Sequence, residues 1–73
     1  MNKATFSVSL NSQQVLQYYQ GKKNRVQVNT REGFSMSIPY DILLKFVTRE
    51  GVHGTFEISY GSDGKLGELR KLG

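Results

Sequence analysis

His53 is the one histidine of the chain, and Glu50 precedes it by three residues, so a general base with an orienting carboxylate is the first chemistry to weigh. A nucleophile needs an activating base and an oriented partner within hydrogen-bond reach. His53 and Glu50 sit in a glycine-flanked segment that reads as a turn rather than as facing scaffold elements. The chain has no cysteine to supply a thiolate, and no two carboxylates share an obvious face. One histidine with scattered carboxylates offers too few ligands for a metal. The expectation is no enzyme, no cofactor and no metal site, with His53 an exposed turn residue.

Gly51-Val52-His53-Gly54 has the G-x-x-G spacing with which KH-type nucleic-acid modules bring backbone close to phosphates. That module sets the loop between two helices, whereas a strand follows here at Thr55. The plainer reading makes Gly51 a helix cap and Gly54 a glycine leading into the strand. Lys22, Lys23 and Arg25 cluster beside Tyr18 and Tyr19, a basic and aromatic edge suited to phosphate or nucleotide. Arg49, His53 and Lys65 complete the candidate contacts for an anionic partner. The plainer reading of Lys22 and Lys23 is a helix end whose cations offset the negative end of the dipole. Ten Lys and Arg against six Asp and Glu leave a net charge of +4, which attracts anions weakly. It falls short of the dense basic stripe of a dedicated nucleic-acid binder.

The elements that must position these residues are organised around Ile38 to Tyr60, the densest run of large apolar side chains. Pro39 suits the first turn of a helix, since its missing N–H would have no partner there. Ile42, Leu43, Phe46 and Val47 then share one helical face, and the helix closes near Gly51. Phe56, Ile58 and Tyr60 alternate with Thr55, Glu57 and Ser59 as in a half-buried strand. Upstream, Phe6, Val8 and Leu10 alternate through a first strand, Thr5 to Leu10. Asn11 and Gln14 form a capping box, with Val15, Leu16 and Tyr19 as the inward stripe of the helix and Gly21 its left-handed end. Arg25 to Thr30 is a second strand with Val26 and Val28 inward. Arg31-Glu32-Gly33 turns it into a third strand carrying Phe34, Met36 and Ile38. After the Gly61–Gly64 turn, Lys65 to Leu72 returns as a fifth strand. Leu66, Leu69 and Leu72 are three apart, which strict alternation cannot place on one face, so a bulge near Gly67 is required.

The order β-α-β-β-α-β-β predicts an α+β fold: a small, mostly antiparallel sheet with two short helices on one face. A partly closed small barrel is the alternative. The sheet's outer face would carry Thr5, Ser7, Ser9, Arg25, Gln27, Asn29, Ser35, Ser37, Thr55, Glu57 and Ser59, with no ring on which a base could stack. Residues 1–73 read as a single domain, and a chain of 73 residues buries only about 60% of the surface that its unfolded form exposes. Residues 1–20 hold no continuous apolar run, so neither a signal peptide nor a membrane span is expected, and the plain expectation is a cytoplasmic protein.

Tyr18-Tyr19-x-Gly21, Ile38-Pro39, Phe46-Val47-Thr48, Gly51-Val52-His53-Gly54-x-Phe56-Glu57 and Leu69-Arg70-x-Leu72 together resemble a family of short bacterial proteins, domain of unknown function 2835. The resemblance spans nearly the whole chain, and the central block is its most specific part. It implies a stand-alone domain with no assigned activity, substrate or cofactor, so it carries no functional residue over. The family pattern admits Arg at the position of His53, which implies a basic surface contact rather than a metal ligand. Gly67 stands where the pattern has a larger strand residue. The expected function is a small non-enzymatic binding module acting through protein–protein contact or self-association, by a sheet edge or the polar face. The alternative is weak, phosphate-directed nucleic-acid binding through Lys22, Lys23, Arg25, Arg49, His53 and Lys65.

Overall fold

A computed structural model describes residues 2–73. Its strands are β1 (Asn2–Leu10), β2 (Arg25–Asn29), β3 (Ser35–Pro39), β4 (Val52–Tyr60) and β5 (Leu66–Lys71). Helix α1 (Ser12–Tyr19) follows β1, and a 3-10 helix (Tyr40–Phe46) follows β3. The fold is α+β in the expected order, and its strands form two antiparallel sheets rather than a closed barrel: β1-β4-β5 and β2-β3. The sheets touch where Phe6 and Thr30 form a single bridge. There the Arg31 N–H donates to the Thr5 carbonyl at 2.8 Å, and the Thr5 N–H donates to Glu32 Oε1 at 2.9 Å.

The core lies between the elements, where each supplies the apolar half of its period. Ala4, Phe6 and Val8 of β1 meet Val52, Phe56 and Ile58 of β4, with Leu69 of β5 beside them. Val26, Val28 and Ile38 come from the hairpin, and Val15, Tyr40 and Leu43 from the helices. Phe6 stands directly opposite Phe56 in the ladder, their rings stacked at 5.9 Å.

Helix α1 begins as its sequence dictates. Asn11 Oδ1 accepts from the Gln14 N–H, and Gln14 Oε1 accepts from the Asn11 N–H, both at 2.8 Å. It ends in a Schellman motif: Gly21 donates to Tyr18 and Lys22 to Gln17, with Gly21 at φ +76°. The inward stripe differs from expectation. Val15 alone is buried, while Leu16 and Tyr19 are 49% and 67% exposed. Tyr18 packs inward in their place, because the core contact of so short a helix is narrower than a full amphipathic face.

The second helix is also shorter than predicted. Pro39 closes β3 in an extended conformation (φ −60°, ψ 133°) and precedes the helix instead of opening it. The 3-10 turns stop at Phe46, not near Gly51, and Val47 is extended. The Thr48 hydroxyl donates to the Gly51 carbonyl and accepts from the Glu50 N–H, so this side chain offers the backbone a turn in place of another helical residue. Leu43 is fully buried; Ile42, Phe46 and Val47 are half-buried around it.

Strand β4 begins three residues before Thr55, since Val52 to Tyr60 pairs with the full length of β1, from Leu10 to Asn2. Phe34 lies outside β3, 40% exposed and edge-on to Tyr60 at 6.1 Å, rather than in its inward row. Strand β5 carries the required irregularity: its register against β4 shifts between Ile58 and Tyr60, opposite Leu69 and Leu66. Leu69 is thereby buried and Leu66 half-buried, whereas Leu72 remains 50% exposed. No helix is long and apolar enough to cross a membrane, among the described residues.

Candidate functional site

His53 is exposed, as predicted, but it belongs to a strand and not to a turn. It faces Ser9 across the β1–β4 ladder, which places it at one end of the polar face. Its Nε2 lies 2.8 Å from the Glu50 carbonyl and its Nδ1 3.1 Å from Ser9 Oγ. A carbonyl only accepts, so Nε2 carries a proton and donates to it. Both nitrogens are thus held by the chain itself. The Glu50 carboxylate is not the partner, and no group of three or more His, Asp or Glu residues is placed to hold a metal among the described residues.

The G-x-x-G glycines answer to chain packing. Gly51 has φ +105°, and a Cβ there would sit 1.8 Å from the Leu10 carbonyl oxygen, inside the β1–α1 junction. At Gly54, φ is +151° and a Cβ would meet the Gly73 carbonyl oxygen at 2.7 Å. These glycines let distant backbone approach, and β4 runs straight through the second of them.

The basic candidates are spread over several elements. Lys22 and Lys23 occupy the α1–β2 turn, Arg49 the turn before β4, and Lys65 the turn after it, at the far end of β4 from His53. Arg25 is engaged within its own hairpin: its Nε donates to Ser37 Oγ at 2.7 Å and a terminal nitrogen to the Ser37 carbonyl at 2.9 Å. Tyr18 is stacked on Tyr40, with centroids 4.4 Å apart.

On the polar face of the three-stranded sheet, side chains pair across strands. Ser7 bonds Thr55 at 3.2 Å, Ser59 Oγ accepts from the Glu68 N–H at 2.9 Å, and Glu57 lies 3.7 Å from Lys3 and 3.9 Å from Arg70. This row of cross-strand pairs holds no Phe, Tyr or Trp among the described residues, and the hydroxyls of Ser7, Ser9, Thr55 and Ser59 have partners.

A feature that sequence reasoning passed over lies beside β5, the outer strand of its sheet. Asp41, Ile42, Leu44 and Lys45 of the 3-10 helix and Gly67, Glu68 and Leu69 of β5 line a groove of about 350 Å³. Leu44 is 42% exposed there. Ile42 and Leu44 are two residues apart, a spacing that helical periodicity does not put on one face, so the periodic signal pointed elsewhere. The alternation of charge around Leu69, Glu68 on one side and Arg70 on the other, was the legible sign.

A family model described as "Protein of unknown function (DUF2835)" matches residues 2–72. No curated protein and no solved structure matches the chain.

Proposed function

The chain belongs to the DUF2835 family, whose function is unknown, and from its surface we propose that it is a small protein-binding module rather than an enzyme or a nucleic-acid binder. One observation carries this reading: an outer strand, β5, flanked by a groove whose walls are part apolar, through Ile42, Leu44 and Leu69, and part charged. A strand edge offers backbone donors and acceptors, and an adjoining apolar pocket selects side chains; extended protein segments are recognised in this way. Phosphate-directed binding has less support. Its candidate cations are spread over three turns, Arg25 is committed to Ser37, and the polar face has no ring for stacking. A cytoplasmic location is part of this proposal.

The test is a photo-crosslinking amino acid at Leu44, irradiated in the cells that make the protein, with the same residue at Ser7 as control. Adducts from Leu44 that protease removes and nuclease leaves intact are the expected result. Nuclease-sensitive adducts, or no adduct from Leu44, overturn it. So does oligonucleotide binding tighter than about micromolar at physiological salt.

A further inference from the structure

We infer that the β5 edge receives β5 of a second copy of this chain, antiparallel and centred on Leu69. This rests on the protein-binding reading above and names its partner.

The backbone directions come first. In an antiparallel ladder, alternate residues send both N–H and C=O to the same side. The Leu72 N–H donates to the Thr55 carbonyl at 2.7 Å, and the Glu68 N–H donates to Ser59 Oγ at 2.9 Å. Glu68, Arg70 and Leu72 therefore turn their backbone toward β4. Leu69 and Lys71, on the regular side of the register shift, turn theirs toward the open side.

Charge then selects the partner and its register. A closed two-fold contact puts the same strand on both sides, running antiparallel. Centred on Leu69, the pairing sets Glu68 opposite Arg70 of the second copy, and by symmetry Arg70 opposite its Glu68. Centred instead on Glu68 or on Arg70, it sets like charges face to face, which disfavours the contact. Charged residues usually close a strand edge to pairing. Here they close it to the neighbouring registers and leave one open. Glu68 is free for this role, since neither ion pair of the sheet, Lys3–Glu57 nor Arg70–Glu57, includes it.

The groove suits the same arrangement. Directly opposed side chains share a face of the sheet, so Leu69 of the second copy follows Leu69 to the side where Ile42 and Leu44 line the wall. The groove's own cation, Lys45, is held over the Phe46 ring at 5.3 Å.

Sedimentation equilibrium from micromolar to millimolar protein tests the inference, with amide spectra establishing that each variant is folded. Wild type is expected to dimerise. Glu68→Arg and Arg70→Glu should each weaken the dimer at least about tenfold. An equimolar mixture of the two should form a heterodimer, and the double exchange Glu68→Arg/Arg70→Glu should restore the homodimer. A dimer indifferent to both reversals, or a mixture that stays monomeric, overturns the pairing. A wild type that is monomeric while Leu44 still cross-links to protein overturns the second copy as partner and leaves the protein-binding reading standing. Nuclease-sensitive adducts would remove both.

Discussion

Tyr40 concentrates the residue-scale chemistry of the fold. It is buried, stacked on Tyr18 and met edge-on by Tyr19 at 6.5 Å, yet its hydroxyl has no hydrogen-bond partner among the described residues. Burial raises its pKa above the ordinary tyrosine value, and Tyr19 and Tyr18 add to the shift. Tyr40→Phe keeps the ring and removes the orphan, so it should stabilise the protein by about 1 kcal/mol. In a domain of this size that is a rise in Tm of roughly 4–8 °C, read from thermal melts. A lower Tm would show that the hydroxyl is satisfied. The sign with pH follows from the raised pKa: the folded state holds the proton that the unfolded chain releases at about pH 10. Tyr40 thus contributes stability that is full below that pH and lost as pH rises through the folded value, and Tyr40→Phe should make the alkaline decline shallower. Gly51, by contrast, has no substitute. Ala there combines a left-handed φ with the overlap on the Leu10 carbonyl and should cost at least about 3 kcal/mol in urea unfolding.

At the scale of elements, α1 shows how a helix of eight residues persists when its sequence alone cannot hold it. Its ends are closed by the Asn11–Gln14 box and the Schellman turn, and its middle is anchored by Val15 and Tyr18. Asn11→Ala should therefore cost about 1 kcal/mol. Leu16→Ala, on the exposed side, should change stability by no more than about 0.5 kcal/mol. Equilibrium denaturation of both variants checks the pair; a larger loss at Leu16 would mean that the helix packs on the face read from its periodicity.

For the whole molecule the deciding quantity is how few side chains make the core. Phe56 is fully buried between Phe6 and Phe46, whereas Phe46 is half-buried and covers it edge-on at 5.1 Å. Phe56→Ala should cost about 3–5 kcal/mol and unfold much of the population, since a domain of this length has only about 5–10 kcal/mol to lose. Phe46→Ala should cost less, because part of its ring is already in water. Matched urea titrations would show the order, and equal losses would contradict it.

Local signals carried most of the architecture. The capping box, the hairpin turn at Gly33, the alternation of Phe56 and Ile58 and the misfit spacing of Leu66 and Leu69 each involve residues within a few positions of one another. Their backbone preferences hold before the chain is compact, so element order, fold class and the bulge in the last strand could be read directly, as could the family resemblance. What lay beyond reach depends on partners far along the chain. β4 extends back to Val52 because β1, some forty residues earlier, is long enough to pair with it. That extension turns His53 from a loop residue into a member of the polar face and makes the G-x-x-G glycines points of close approach. Which side of α1 is inward, where the second helix stops and which basic residues come together are likewise decided by packing. The groove beside β5 exists only where the 3-10 helix lies against the outer strand, a juxtaposition that no spacing within either segment encodes.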